Sequence, residues 1–191
     1  MKVLLIGLGS MGLNHLRILK LLVRKEDIFV LDKNKLKLKK CLSELSKTQT
    51  TNLNDLIKLS DKIIIATNTD SHFHIIKHCL KLKKNKIFVE KPIVSKISHA
   101  KNLEKILNKK KSKIFVGLIE RFNSSIVSLK KYVSNKKIYN IDINRSARVP
   151  KRNKDIDVIS DLMIHDIDLA IQFNGDIKSI EATGLIDKIN I

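Results

Sequence analysis

Over the first 120 residues, short apolar runs alternate with longer segments in which apolar residues recur every three or four positions. The short runs are typical of strands buried on both faces, and the longer segments are typical of amphipathic helices. Such an alternation predicts a parallel, doubly wound sheet with right-handed crossovers. The predicted strands span residues 2–7, 27–32, 62–69, 86–92 and 113–122, and the predicted helices span residues 11–23, 34–45, 71–82 and 95–110, with a shorter helix capped by Asn52 or Asn54.

After about residue 120 the pattern changes, because one longer run alternates apolar and polar positions as in a sheet with one solvated face. We therefore predict an α/β chain with two domains, a doubly wound domain over residues 1–120 and a truncated α+β domain over residues 121–191. The elements predicted in the second domain are a helix over 124–133, a strand over 136–148, a helix through 161–170 and a strand over 176–186.

A glycine-rich turn joins the first predicted strand to the first predicted helix. Its glycines are Gly7, Gly9 and Gly12, with Ser10 and Met11 between them. In a dinucleotide-binding turn the first glycine permits the tight bend, the second lets a pyrophosphate approach the backbone, and the third lets helix pack on strand. The phosphates then lie on the free amides of the helix N-terminus. The alternative is a glycine turn in an α/β fold that binds no nucleotide.

Asp32 ends the second predicted strand, 20 residues after Gly12. A carboxylate at this position accepts hydrogen bonds from the adenosine ribose and repels a 2′-phosphate. We therefore expect NAD as the cofactor and NADP to be less favoured, although Lys33 weakens that preference. The same spacing argues against the alternative in which the glycine turn binds no nucleotide.

Two later turns fall on the carboxyl edge of the predicted sheet, where ligands bind in open α/β folds. Thr67, Asn68 and His72 follow one strand, and Glu90 and Lys91 end the next. We expect all five residues to contact the cofactor, and Lys91 also to hold substrate. The alternative for Lys91 is a surface ion pair with its neighbour Glu90.

The segment "DLMIHDIDLA", residues 161–170, concentrates acidic residues in a basic chain. On a helix Asp161 and His165 are four residues apart and share a face with Asp168, whereas Asp166 points elsewhere. Three readings are open: a metal site, a proton-transfer site, or a solvated helix face. A metal site would need three or four converging ligands, and a second histidine at suitable spacing is absent nearby, so we predict no metal.

The formal net charge of +19 raises the possibility of nucleic-acid binding. Of 38 basic residues only six are arginine, and the lysines are scattered without aromatic platforms. We therefore expect a solvated basic surface that binds polyanions only nonspecifically. Two cysteines without ligand spacing fit a reducing compartment, and no apolar run reaches membrane-spanning length. We expect a cytoplasmic protein with no membrane partner.

Five segments occur in the order found in the Gfo/Idh/MocA oxidoreductases, the glucose–fructose oxidoreductase and inositol dehydrogenase family. The chain resembles this family across nearly its whole length, and more narrowly the branch that oxidises UDP-N-acetylglucosamine and related UDP-sugars. The resemblance implies a Rossmann fold and NAD-dependent oxidation of a sugar hydroxyl, at C3 of a UDP-N-acetylhexosamine or its uronate. The segments are "GLGSMG", "ATNTDSHFH", "VEKP", "GLIERFN" and "DLMIHDID".

The resemblance also implies roles for individual residues. Lys91, Asp161 and His165 match the catalytic group of the family and its substrate contacts, and Arg121 and Asn123 match residues lining the cleft between the domains. His165 would take the hydroxyl proton while Lys91 stabilises the developing alkoxide.

The basic loop before the last predicted helix suggests a further substrate contact. Arg145, Arg148 and Arg152 lie in or beside it, and the arginine fork suits the geometry of phosphate. We expect Arg148 to hold the diphosphate of a nucleotide-sugar. The alternative is that these arginines are solvent-facing charges.

Members of the resembled family continue through several more strands, which build the substrate domain and often the subunit interface. A homo-oligomer is therefore expected. The competing hypothesis for function is an NAD(H)-binding protein without catalytic activity, left after loss of the C-terminal sheet.

Overall fold

The computed structural model describes residues 1–84, 86–110, 113–146 and 157–184. Five parallel strands form one sheet in the order β2-β1-β3-β4-β5. All five predicted strands are confirmed, and all end earlier than their predicted limits because each chain segment turns away at the carboxyl edge. The strands are β1 Val3–Ile6, β2 Ile28–Leu31, β3 Lys62–Ile65, β4 Lys86–Val89 and β5 Lys113–Val116.

Seven α-helices are present in the described part of the chain, and the predicted helices are all among them. Asn52, rather than Asn54, caps the third helix, since its side chain accepts hydrogen bonds from two backbone amides. Short 3-10 turns lie at Lys25–Asp27 and Ile119–Phe122. The helices are α1 Ser10–Leu22, α2 Lys35–Glu44, α3 Leu53–Leu59, α4 Thr69–Lys81, α5 Ile97–Lys110, α6 Ser124–Val133 and α7 Ile164–Asn174.

The strands are apolar on both faces because helices cover the sheet from both sides. Alternate side chains of β1 enter two different cores: Leu4 packs with α3, α4 and α5, and Leu5 packs with α1 and α2. Both leucines are fully buried. This arrangement fixes the carboxyl ends of β1, β3 and β4 along one edge, where the turns with the candidate site residues begin.

The second part of the chain departs from the prediction. No strand is present over residues 136–146 or 176–184, although strands were predicted over 136–148 and 176–186; positions 147–148 and 185–186 lie outside the described residues. A strand requires a neighbouring strand to satisfy its backbone, and within the described residues neither segment has one. The predicted helix through 161–170 exists, but it opens with a π turn, Ile159–Met163, before α7.

Candidate functional site at the carboxyl edge of the sheet

The glycine turn has the geometry that its sequence predicts. Gly7 has a positive φ of 98°, and a Cβ on it would lie 2.5 Å from the carbonyl oxygen of Ala66. A Cβ on Gly12 would lie 2.0 Å from the carbonyl oxygen of Gly7, so only glycine lets α1 pack this closely on β1. A Cβ on Gly9 would meet nothing within 4 Å. The space beside Gly9 is therefore open to a ligand.

The N-terminus of α1 faces this open space. Gly9 is the N-cap residue, its cap makes no side-chain hydrogen bond, and the first turn contains no acidic residue. Ser10 and Met11 are exposed there. Free amides and the positive end of the helix dipole make such a terminus suited to an anion.

Asp32 ties the glycine turn to the start of the second helix. Its carboxylate accepts a hydrogen bond of 2.6 Å from the amide of Leu8 and one of 2.7 Å from the amide of Asn34. Each carboxylate oxygen has further acceptor capacity, and Asp32 is partly exposed. It can therefore accept from a ligand hydroxyl as well. Lys33 beside it is exposed.

The turn after β3 places Thr67 and Asn68 ahead of α4. The hydroxyl of Ser71 donates to the Thr67 hydroxyl and to the Asn68 carbonyl, each at 2.7 Å. Asn68 is the N-cap residue of α4, and its side chain makes no cap hydrogen bond. Both residues lie at the same edge of the sheet as the glycine turn.

His72 is placed differently from its predicted role as a cofactor contact. It is only 1% exposed, and its two ring nitrogens lie 3.0 Å from the carbonyl oxygens of Pro92 and Thr67. Its polar atoms therefore hold two loops together instead of facing the open edge.

Glu90 is also turned away from the predicted cofactor contact. Its carboxylate lies 2.6 Å from Nε2 of His15 on α1, and both side chains are largely buried. This pair was not predicted from the sequence. The available signal was that His15 lies one turn after Gly12 and so faces the sheet.

Lys91 reaches from the end of β4 to the π turn. Its amine donates to the carboxylate of Asp161 at 2.8 Å and to the backbone carbonyl of the same residue at 2.6 Å. The two side chains are 23% and 15% exposed. The alternative in which Lys91 merely pairs with Glu90 on the surface is wrong, since Lys91 pairs with Asp161.

His165 lies four residues beyond Asp161, on the first turn of α7. It is 7% exposed, and its Nδ1 is buried without a hydrogen-bond partner. Burial lowers the pKa of His165 below its ordinary 6.5, and the positive charge of Lys91 lowers the pKa further. The imidazole is therefore neutral at neutral pH, as a proton acceptor must be.

The other two aspartates of the segment each hold an arginine. Asp168 accepts two hydrogen bonds from Arg121, which raises the pKa of that guanidinium. Asp166 accepts from Arg145 at 2.7–2.9 Å, and Glu120 lies 3.8 Å from the same guanidinium. Asp166, which was expected to point away from the face shared by Asp161 and His165, is the ion-pair partner of Arg145 in this structure.

Of the remaining predicted substrate contacts, Asn123 lies in the described part of the chain. The Asn123 side chain accepts from the amide of Ser125, capping α6, and donates to Glu120. Its contacts are local to that turn. Arg148 and Arg152 lie outside the described residues.

Asp157 makes hydrogen bonds at the start of the π turn. Its carboxylate accepts from the amide and the hydroxyl of Ser160, and its backbone carbonyl accepts from the amide of Asp161. The hydrogen bond from the Ser160 amide lowers the pKa of Asp157. Single π turns are common at functional sites, and this one presents Asp161 to Lys91.

Within the described ranges, no group of three His, Cys, Asp or Glu side chains converges as a metal site would require. In the same residues no helix is both long and apolar enough to cross a membrane.

Residues 1–118 match the sequence profile of the Gfo/Idh/MocA oxidoreductase family, described by its NAD-binding Rossmann fold. The chain belongs to this family. The predicted resemblance and the predicted fold class are thereby confirmed, and so is the expectation of an NAD-binding Rossmann domain.

Among curated members of the Gfo/Idh/MocA family, the chain is 26% identical over 197 residues to UDP-N-acetylglucosamine 3-dehydrogenase from Acidithiobacillus ferrooxidans, a match that covers 97% of this chain and 59% of that protein. It is 30% identical over 140 residues to inositol 2-dehydrogenase from Rhizobium meliloti, covering 67% of this chain and 42% of that protein. The chain thus spans about 59% or less of the length of these relatives.

Solved structures of family members show the same fold. The UDP-N-acetylglucosamine 3-dehydrogenase of Acidithiobacillus ferrooxidans superposes with a TM-score of 0.74 at 25% identity, covering 92% of this chain and 55% of that one. Scyllo-inositol dehydrogenase from Lactobacillus casei, solved with bound NAD(H) and scyllo-inositol, gives a TM-score of 0.72 at 20% identity, covering 92% of this chain and 56% of that one.

Proposed function

We propose that this chain is an NAD-dependent dehydrogenase that oxidises a sugar hydroxyl, with Lys91, Asp161 and His165 as its catalytic group. One observation carries the proposal: the amine of Lys91 contacts Asp161 beside a buried, neutral His165 whose Nδ1 has no partner. A cation next to a neutral base is the arrangement that alcohol oxidation needs. Membership of an oxidoreductase family supports the same class of chemistry.

The glycine turn and Asp32 form the proposed cofactor site. The amides that follow Gly9 would hold the pyrophosphate, because the space beside this glycine is open. Asp32 would accept from the adenosine ribose, which favours NAD over NADP. Thr67 and Asn68 lie at the same edge of the sheet, between the glycine turn and Lys91, because β3 lies between β1 and β4. NAD, when bound, supplies the hydride acceptor.

The chain's own residues would handle the proton and the developing charge. The neutral imidazole of His165 accepts the hydroxyl proton at its unprotonated ring nitrogen. The ammonium of Lys91 faces the oxygen as charge develops on it, and Asp161 holds that ammonium in place. Burial of His165 excludes water from the base.

For the substrate we propose a UDP-N-acetylhexosamine or its uronate, oxidised at C3. The support is the 26% identity to a UDP-N-acetylglucosamine 3-dehydrogenase over 97% of this chain. Arg121 and Asn123 lie on the turn between β5 and α6 that leads away from the sheet edge. Arg148 is the proposed partner of the diphosphate.

A thermal-shift panel tests the substrate class directly. UDP-N-acetylglucosamine, UDP-N-acetylgalactosamine, their uronates and myo-inositol would each be added with and without NAD. A ligand that binds the folded state raises the melting temperature, and we expect the largest rise from a UDP-sugar in the presence of NAD. Stabilisation by inositol alone would contradict the substrate assignment and leave the dehydrogenase class standing.

Variants of the catalytic group test the mechanism. Removing a general base costs about 10²- to 10⁴-fold in rate, and removing a group that stabilises developing charge costs about 10²- to 10³-fold. His165→Ala and Lys91→Ala should lose turnover on these respective scales and still bind NAD. His78→Ala is the matched control, because His78 lies on α4 and contacts Asn54 away from the site. Full activity in both catalytic variants would rule out the proposed mechanism.

A second candidate is an NAD(H)-binding protein without turnover. The observation that favours it is that the predicted strands over 136–148 and 176–186 are not formed in the described residues, in the region that would hold substrate. Binding of NADH, measured by its fluorescence, without UDP-sugar binding or turnover would support this candidate over the enzyme.

A further inference from the structure

Lys91 is flanked by contacts from histidines on two different helices. On its N-terminal side, the carboxylate of Glu90 meets His15 of α1. On its C-terminal side, the carbonyl of Pro92 meets His72 of α4. The two contacts enclose a stretch of three residues with the proposed catalytic lysine at its centre.

The contact on the N-terminal side is closely packed. Nε2 of His15 lies 2.6 Å from Oε1 of Glu90, and the His15 ring meets the ring of Phe88 edge-on, with centroids 5.3 Å apart. Gly117 leaves room for the carboxylate, since a Cβ on it would lie 2.9 Å from Oε2 of Glu90. The Glu90 side chain therefore has little freedom to take another position.

The contact on the C-terminal side is fully buried. His72 is 1% exposed, and its Nδ1 lies 3.0 Å from the carbonyl oxygen of Pro92. Its Nε2 lies 3.0 Å from the carbonyl oxygen of Thr67. A single ring thus joins the turn after β3 to the turn after β4.

Both helices that carry these histidines begin at turns of the proposed cofactor site. Helix α1 starts at Ser10, directly after the open space at Gly9, and α4 starts at Thr69, directly after Asn68. The Lys91 side chain is a flexible four-carbon chain whose amine contacts Asp161. The position of the amine therefore depends on how firmly the backbone at Lys91 is held.

We propose that His15 and His72 are positioning residues for Lys91, bracing the backbone on either side of it so that its amine meets Asp161 and the substrate. The catalytic consequence rests on the proposed dehydrogenase function. The geometric consequence, the placement of the Lys91 amine, does not.

Substituting His72 by a residue with a side-chain amide can keep one of its two contacts and remove the other. An Asn side chain places an amide close to the position of Nδ1, and a Gln side chain places one close to the position of Nε2, where each can donate to a carbonyl. His72→Asn should therefore keep the Pro92 contact, and His72→Gln should keep only the Thr67 contact. By the same reasoning His15→Gln keeps the Glu90 contact and His15→Leu removes it.

Turnover is the first readout. A small misplacement of a reacting group can cost up to about 100-fold in rate, so we expect His72→Gln and His15→Leu to lose about 10- to 100-fold in kcat with NAD affinity unchanged. His72→Asn and His15→Gln should retain most of the wild-type kcat, and His78→Ala should retain all of it. A purely structural role would lower the melting temperature of the paired variants equally and would not separate their kcat values.

The reactivity of the Lys91 amine is the second readout, and it needs no enzymatic activity. Brief acetylation with acetic anhydride, read by peptide mass spectrometry, should label Lys91 slowly in the wild type and several-fold faster in His72→Gln and His15→Leu, relative to the exposed Lys101. Should the chain lack turnover altogether, faster labelling in these two variants still supports the brace. The proposal is overturned if labelling and kcat are equal between His72→Asn and His72→Gln and between His15→Gln and His15→Leu. If one His72 variant does not fold, the comparison of the two His15 variants decides.

Discussion

At the scale of single residues, His165 has the most consequential environment. It is buried, its Nδ1 has no hydrogen-bond partner, and Lys91 approaches Asp161 one helical turn away. Burial and the positive charge of Lys91 both disfavour the imidazolium, so the pKa of His165 falls below 6.5. The sequence shows His165 within an acidic segment, and its burial and the nearby lysine become visible only in the fold.

The titration of His165 can be followed by NMR of its imidazole protons. We expect a pKa below 6.5 in the wild type. In Lys91→Met the pKa should rise towards 6.5 without reaching it, because burial, the larger cause, remains. His78→Ala should leave it unchanged. A wild-type pKa above 6.5 would contradict the proposed neutral base.

The same shift sets a pH dependence of stability. The unfolded chain takes up a proton on His165 at its ordinary pKa, and the folded chain does so only at lower pH. The contribution of His165 is therefore fully present above pH 6.5 and is lost as the pH falls through the lowered pKa. In His165→Gln, unfolding by urea measured across this range should lose that part of the pH dependence.

The three aspartates show which features residue spacing predicts and which it does not. Their spacing predicted that Asp161 and Asp168 share a helix face with His165, and it predicted no ion-pair partners. Those partners come from 70, 47 and 21 residues earlier in the chain, as Lys91, Arg121 and Arg145. Contacts at such separations depend on the packing of the whole chain, which local patterns do not encode.

At the scale of elements, the turn from β1 to α1 is the part most fully predicted from sequence. Gly7 and Gly12 have the steric reasons that the motif implies, and Gly9 borders open space, because the motif specifies a backbone shape and that shape is local. The helix through residues 161–170 was predicted less well. Its apolar positions fit a helix, but the periodicity does not reveal the π turn at Ile159–Met163.

Two alanine substitutions in the glycine turn should have opposite effects. Gly12→Ala forces a Cβ against the Gly7 carbonyl and should destabilise the fold by about 1–3 kcal/mol. Gly9→Ala meets no protein atom within 4 Å and should leave stability unchanged, while it weakens NAD binding by obstructing the pyrophosphate. Urea unfolding and NADH fluorescence titration measure the two effects. Unchanged NADH affinity in Gly9→Ala would place the cofactor elsewhere.

At the scale of the whole molecule, apolar surface remains exposed. Leu22 of α1 and Phe115 of β5 are 75% and 60% exposed and border one groove on the sheet. The two-domain division at residue 120 stays a prediction. The doubly wound sheet was predictable because buried parallel strands are apolar along their length. The strands predicted over 136–148 and 176–186 would need partner strands, which the sequence pattern does not supply.

We expect this exposed surface to associate, giving a homo-oligomer whose formation is opposed by the net charge of +19. Raising the salt concentration should therefore increase the associated fraction in sedimentation equilibrium. Leu22→Lys should shift the chain towards monomer, and Leu36→Lys, at a residue of α2 that is 80% exposed and outside the groove, should not. A monomer at every concentration and salt would contradict the expectation.

The most direct test of the central claim is formation of NADH when the chain is mixed with NAD and UDP-N-acetylglucosamine, compared between the wild type and His165→Ala. We expect substrate-dependent NADH in the wild type and a loss of about 10²- to 10⁴-fold in the variant, with NAD binding retained in both. Equal rates in the two proteins would contradict it. So would NAD binding in the wild type with no NADH formed from any UDP-sugar.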